Sequence, residues 1–221
     1  DVDNEEALEK MKHFCITTGV INADQVIVQS ENMKKAYVKI LTKFMKEHSG
    51  ENTKDYWEKK ILGLGSPKLD KVAATKKEDV TVPEEWLKVI EKPDGKHKKI
   101  ILYNTSVQAL LNHNEKMNTK IKDVLRVFKE NQEEVALLWR PHPLIEATIK
   151  SVRTRLWDEY KEIVDTYRRE GWGIYDDTVE LDRAIAVSDG YYGDWSSVVQ
   201  LCQEKGMPVM IQDAEILIEE K

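Results

Sequence analysis

The chain has 221 residues, of which 33% are charged and 41% apolar, and its formal net charge is −6. This composition is typical of a globular protein with a solvated surface and a core large enough for one large domain or two small ones. The acidic balance argues against a general nucleic-acid-binding protein, because such domains are usually basic. The two cysteines fit neither a metal-ligand spacing nor a disulfide framework, and no apolar run approaches the roughly 20 residues needed to span a bilayer. These features predict a cytoplasmic setting.

The first part of the chain predicts the end of one α/β domain followed by a linker, over residues 1–92. Its predicted elements are a short helix at 6–13, a strand at 24–29, a helix capped by Ser30 and a strand at 60–65. Residues 68–99 are rich in charge, contain two prolines, and form the predicted linker with one helix near 84–90. Because the periodic core begins at Asp24, we expect residues 1–20 to be dispensable for folding.

A second series of alternating elements is predicted for residues 93–221. Its strands are predicted at 99–103, 135–139, 189–193 and 208–211, and its helices at 118–131, 145–170, 177–188 and 196–204. Asp177 and Glu180 have the spacing of a capping box for the third of these helices. The alternation predicts an α/β fold with a Rossmann-like parallel sheet and helices on both faces.

Polar residues that could bind a phosphate follow two of the predicted strands. The strand at 135–139 ends in R-P-H-P, and the strand that ends at Gly193 runs into D-W-S-S at the start of a helix. If the two strands are neighbours, these motifs meet at the carboxyl edge of the sheet, where open α/β sheets bind ligands. The N–H groups of a helix's first turn favour an anion, so a phosphate-bearing substrate is the first hypothesis. The candidate residues are Arg140, His142, Asp194, Ser196 and Ser197.

His142 is the strongest single candidate, since its imidazole could donate to a phosphate oxygen or protonate a leaving group. The alternative is a loop histidine bonded to nearby backbone. Arg140 could pair with phosphate or be structural, and the serines, or Asp194, could simply cap the helix.

Two further groups of polar residues are candidate sites. Asn104, Thr105 and Ser106 follow the strand at 99–103 and form a candidate nucleotide loop, with ordinary turn chemistry as the alternative. Asp176 and Asp177 resemble a metal-binding pair but lack further carboxylates at useful spacing, so no metal site is predicted.

The R-P-H-P motif at 140–143 and the S-D-x(4)-D-W-S-S-V motif at 188–198 resemble the carboxyl-terminal domain of the CDP-glycerol glycerophosphotransferase family. Segments 23–31 and 63–70 resemble the end of that family's first domain. The resemblance implies the two-domain GT-B fold. Residues 1–92 would then be the end of the acceptor-side domain with the linker, and residues 93–221 the donor-binding domain.

The resemblance also implies a reaction and its partners. A glycerol-phosphate unit would pass from CDP-glycerol, or a similar nucleotide donor, to a polyol-phosphate acceptor of a surface polymer such as teichoic acid, releasing CMP. His142 and the Ser196-Ser197 helix start would contact the donor pyrophosphate, with Asp194 beside them as a second catalytic candidate. No cofactor, metal or nucleic acid is implied, and the full-length protein could associate with the inner face of the membrane.

The chain also departs from the family. It has no His-Gly pair, which in the family carries the proposed base, and it lacks the usual aromatic residue after residues 99–103. It is also too short for two full Rossmann-like domains. We therefore expect a fragment that binds donor without turnover. The alternatives are a nucleotide-sugar glycosyltransferase of GT-B type and a non-catalytic binding or scaffold module.

Overall fold

The computed structural model describes residues 4–212, and the chain forms two compact units that divide between Asp70 and Lys71. The division lies earlier in the chain than the predicted boundary at residue 92. Segment 71–92, predicted as linker, belongs to the second unit because its apolar side chains are buried there. Trp86 and Ile90 are both in the core, and Lys205 Nζ donates to the backbone carbonyl of Val72 at 3.2 Å.

The first unit is mainly helical and contains a short parallel sheet. Its elements are α1 (Glu5–Cys15), α2 (Thr18–Asn22), β1 (Val26–Ile27), α3 (Glu31–Ser49), α4 (Lys54–Lys60) and β2 (Ile61–Leu62), and α5 (Pro67–Ala74) crosses the division. Ser30 caps α3 as predicted, its Oγ accepting from Met33 N at 3.1 Å. The expectation that the core begins at Asp24 is wrong, because Leu8 and Cys15 of α1 are buried in the same apolar cluster as Trp57.

The second unit is built around a five-stranded parallel sheet flanked by helices. Its elements are α6 (Glu84–Ile90), β3 (Lys99–Thr105), α7 (Val107–His113), α8 (Glu115–Glu130), β4 (Val135–Pro141), α9 (Ile145–Val152), α10 (Trp157–Glu170), β5 (Ile174–Tyr175), α11 (Leu181–Val187), β6 (Gly190–Gly193), α12 (Ser197–Glu204) and β7 (Val209–Ile211). Two single 3-10 turns lie at Lys77–Asp79 and Thr154–Leu156. The predicted Rossmann-like α/β class is confirmed for this unit.

The strand order of this sheet is β5-β4-β3-β6-β7. The first strand of this sheet in chain order, β3, is therefore central, and the chain adds two strands on one side before it crosses to the other. This is the order of a doubly wound fold, whose direction reverses between β3 and β6. The assumed adjacency of the strands that carry R-P-H-P and D-W-S-S is wrong, because β3 lies between β4 and β6.

Several local predictions need correction. Strands β3 and β4 each continue two residues further than predicted, because Asn104, Thr105 and Arg140 are buried and paired within the sheet. The helix predicted over 145–170 is interrupted at Arg153, and the two-residue strand β5 was missed. Helix α11 begins only after Glu180, which makes no side-chain capping bond, so the predicted capping box is not formed.

Candidate functional site

Asn104, at the end of the central strand, joins the two neighbouring strands. Its Nδ2 donates to the backbone carbonyl of Arg140 at 2.8 Å, and its Oδ1 accepts from Ser196 Oγ at 3.0 Å. Its own carbonyl accepts from Asp194 N at 3.0 Å. Gly193 permits this contact, since a Cβ there would lie 2.2 Å from the Asn104 carbonyl oxygen and its φ is +141°. One buried amide thus holds both sequence motifs at the reversal point of the sheet.

Asp194 is buried and bonded within the protein. Its Oδ2 accepts from Ser106 N at 2.6 Å, and its Oδ1 forms an ion pair with Lys120 Nζ at 2.5 Å. Lys120 also donates to the Gln212 carbonyl at 2.5 Å, and the side chains of the ion pair are 0% and 3% exposed. Both carboxylate oxygens therefore have protein donors. The carboxylate links the start of α7 to helix α8, and Lys120 extends the link to the end of β7.

Lys120 was not identified from the sequence, although a signal for it exists. It lies on α8 between the buried residues Met117 and Ile121, in phase with the apolar stripe that continues to Val124. A lysine in that position either extends its ammonium group to solvent or pairs it with an acidic partner in the interior. The structure shows the second arrangement.

Arg140 is likewise bonded inside the protein. Its Nη1 forms a buried ion pair with Asp176, and its Nη2 donates to the Thr178 carbonyl at 2.6 Å. Asp176 is fixed in turn, because its Oδ1 accepts from Thr178 N at 3.1 Å and from Thr178 Oγ1 at 2.7 Å. Asp176 thus anchors the Arg140 guanidinium, whereas Asp177 pairs with Arg168. Among residues 4–212 there is no cluster of three or more side chains suited to hold a metal ion.

His142, by contrast, is exposed, and its ring is oriented by the loop around it. Its backbone N–H donates to the Thr105 carbonyl at 2.9 Å, and its Nδ1 lies 3.1 Å from Leu144 N. A neutral ring that accepts at Nδ1 carries its proton on Nε2 and can donate from that atom. The sequence analysis predicts that His142 donates to a phosphate. Because Nδ1 accepts from Leu144 N, Nε2 is the ring nitrogen that could do so.

A cleft of about 430 Å³ opens at the carboxyl ends of β4 and β5, and its lining includes Arg140 and His142. Its volume is in the range of small-molecule sites. Three aromatic rings contribute to the lining: Trp157, Tyr160 and Tyr175. Burial raises the pKa of both tyrosines, so their hydroxyls stay protonated at neutral pH. None of the residues around Ser196 contributes to this cleft.

The loop before α12 contains the remaining candidates. Ser196 is the N-cap, its Oγ lying 3.2 Å from Val198 N, and Ser197 is exposed at the first position of the helix. Trp195, between the buried Asp194 and Ser196, is 62% exposed. Of the other candidate loop residues, Thr105 is buried with its Oγ1 accepting from Trp139 Nε1, and Ser106 caps α7.

The predicted site residues therefore fall into two groups. Asn104, Asp194 and Ser196 are bonded together at the reversal point, whereas Arg140 and His142 line the cleft beside β4. Within residues 4–212, no helix is long and apolar enough to cross a membrane. No model of a known protein family matches the chain, and no curated protein matches it.

Proposed function

We propose that this chain is the donor-binding part of a transferase with a GT-B fold, similar to the CDP-glycerol glycerophosphotransferases. The donor would be CDP-glycerol or a related CDP-activated polyol, and the acceptor a polyol-phosphate surface polymer such as teichoic acid. The observation that carries the proposal is that the R-P-H-P and D-W-S-S motifs are both bonded to Asn104. This junction lies at the carboxyl edge where a doubly wound sheet reverses direction, the usual place for a nucleotide. Such an enzyme would work at the inner face of the cell membrane.

In this proposal the exposed groups bind the donor and the buried groups position them. His142 Nε2 and the backbone N–H groups at the start of α12 would contact the pyrophosphate, because they are polar donors at the surface of the edge. Arg140 and Asp194 act as positioning residues, since Asp176 and Lys120 already neutralise their charges.

The proposed reaction is attack of an acceptor hydroxyl on the glycerol-bearing phosphorus. A new phosphorus–oxygen bond forms, and the bond to the bridging oxygen breaks so that CMP leaves. Negative charge develops on the leaving phosphate, where a donated hydrogen bond from His142 and the helix N–H groups would stabilise it. The chain has no His-Gly pair, so the base that removes the hydroxyl proton would come from elsewhere in the enzyme.

Isothermal titration of the chain with CDP-glycerol, CDP-ribitol, UDP-glucose and CMP tests the proposal. We expect binding of the CDP-linked polyols and CMP, and a loss of at least about tenfold in affinity for CDP-glycerol in His142→Ala, the effect of one hydrogen bond to a charged group. His97→Ala is the matched control, because His97 is exposed and precedes β3 at the opposite edge of the sheet. Absence of binding by every cytidine ligand, or equal losses in the two variants, would overturn the proposal.

A further inference from the structure

A groove rich in lysine lies between α3 and α4 in the first unit. We call it the lysine groove, and its volume is about 1010 Å³. The residues that line it are Glu31, Lys34, Lys35, Val38, Lys39, Thr42, Lys43, Lys46, Lys54, Asp55, Glu58 and Lys59. Its seven lysines outnumber its three acidic residues, although the whole chain carries a net charge of −6. The groove is therefore positively charged, although the chain as a whole carries a net negative charge.

The lysines form a regular row because of the helical repeat. Lys35, Lys39 and Lys43 follow one another at four-residue steps on α3. At a rise of 1.5 Å per residue, successive lysines are about 6 Å apart along the helix axis. The side of α3 that carries Ile40 and Leu41 is buried in the core of the unit. The lysine row therefore adds nothing to that core, and like charges one turn apart repel each other. A bound polyanion would be attracted by the exposed lysines at the two ends of the row, Lys35 and Lys43.

The shape and the composition of the groove indicate the kind of anion. Its lining residues come from both α3 and α4, so an extended ligand lying along it could contact both helices. A membrane-binding face would present several large apolar residues, whereas Val38 is the apolar side chain in this lining. No aromatic ring lines the groove among the described residues, so it lacks the stacking surface that single-stranded nucleic acids use.

We propose that the lysine groove binds a linear polyol-phosphate chain, with successive lysines contacting successive phosphates. The choice of a polyol-phosphate rests on the proposed function, in which such a polymer is the acceptor. The groove would hold the growing polymer by its backbone phosphates, independently of the donor site. A flexible chain with one charge per repeating unit matches a row of lysines with one charge per helical turn.

The test measures binding of a fluorescent glycerol-phosphate oligomer to the whole chain by anisotropy at several salt concentrations. The test variant is Lys35→Gln/Lys43→Gln/Lys59→Gln, which removes charges from both walls. The control is Lys10→Gln/Lys12→Gln/Lys68→Gln, which removes the same charge from the same unit outside the groove. Each lost phosphate contact lowers the slope of log K against log salt by about 0.7, so we expect the test variant to lose about 2 units of slope.

The test variant should also bind at least about tenfold more weakly at low salt, with the control unchanged. Circular dichroism checks that both variants fold, as expected for exposed side chains. Equal losses in the two variants would show non-specific attraction and overturn the proposal. So would selective loss of binding to phosphatidylglycerol vesicles without oligomer binding, which would assign the groove to a membrane surface.

A donor titration separates this proposal from the proposed function. If CDP-glycerol binds and the oligomer does not, the groove proposal fails and the donor proposal stands. If the oligomer binds in the groove and no cytidine ligand binds, the donor proposal fails. The groove then remains a polyanion site, and the claim that it holds the acceptor of this reaction is withdrawn.

Discussion

The carboxyl edge of the sheet has an inner part and an outer part that use similar residues for different purposes. In the inner part, Asp194 and Arg140 are buried and bonded to protein partners. In the outer part, His142 and Ser197 reach the surface beside the same strand ends. The comparison shows that residues of one sequence motif can differ fully in exposure, and burial limits which of them could meet a ligand. A charged residue at a strand end can instead hold neighbouring loops in place.

The two buried ion pairs of the inner part join different elements. The Lys120–Asp194 pair connects α8 with the loop after β6, and the Arg140–Asp176 pair connects β4 with the residue after β5. Each pair also has backbone partners: Ser106 N and the Gln212 carbonyl for the first pair, and the Thr178 carbonyl for the second. Such satisfied networks fix one arrangement of the loops, and removal of one partner leaves a charge without compensation.

The largest expected effect comes from Lys120→Met. The substitution leaves Asp194 buried and unpaired, so we expect the free energy of unfolding to fall by about 3–5 kcal/mol. Urea denaturation measures it. Lys122→Met is the matched control, because Lys122 on the same helix is exposed and its pair with Glu159 should contribute less than about 1 kcal/mol. Equal effects in the two variants would mean that the inner part does not depend on this pair.

Arg140 can be tested by replacing its pair with neutral groups. Arg140→Gln alone should cost about 3 kcal/mol of stability, because Asp176 stays buried without its guanidinium. Adding Asp176→Asn should restore much of that loss, since no net charge then remains buried. If Arg140 only positions the loop, the double variant keeps its affinity for CDP-glycerol within about threefold, a change below 1 kcal/mol. A tenfold loss of affinity in a well-folded double variant would instead assign Arg140 to the outer part.

His142→Ala should separate function from stability. The side chain is exposed, so the free energy of unfolding should change by less than about 0.5 kcal/mol. In an enzyme with the proposed transferase activity, loss of one donor to a charged transition state should reduce CMP release on the order of 10²- to 10³-fold. Release should persist with EDTA present. Full activity in the variant, or complete loss in EDTA, would contradict the role given to this residue.

The sequence predicted the fold of the second unit well, because its strands are continuous apolar runs and its helices have regular apolar faces. It could not predict the strand order, since β4 and β6 both pair with β3 and nothing local distinguishes neighbours from next neighbours. The short strand β5 was missed because two residues leave no periodic signal. Helix α1 was not expected to contribute to the core because it carries few apolar residues, although two of them, Leu8 and Cys15, are buried.

The sequence placed the candidate residues at the strand ends but could not give their bonding partners. The strand ends located Arg140, His142 and Asp194 at one edge, because parallel strands end on the same side. The arrangement of Arg140 and Asp194 depends on partners far away in the chain, Asp176 and Lys120. Such pairings join residues that are distant in the sequence, so they become visible only in the folded structure.

The smallest expected effect is at Ser196, where the inner and outer parts meet. Its Oγ lies 3.2 Å from Val198 N as the cap of α12 and donates to Asn104 Oδ1 at 3.0 Å. Ser196→Ala should therefore lower the free energy of unfolding by about 1 kcal/mol, the usual effect of losing an N-cap. Donor affinity should fall less than in His142→Ala, because the backbone N–H groups at the helix start remain.

Ser197→Ala is the matched control and should leave the free energy of unfolding within about 0.5 kcal/mol of the original value, as for most exposed positions. If Ser197→Ala proves the more destabilising of the two in urea denaturation, the cap is assigned to the wrong serine, and the boundary between the two parts moves by one residue.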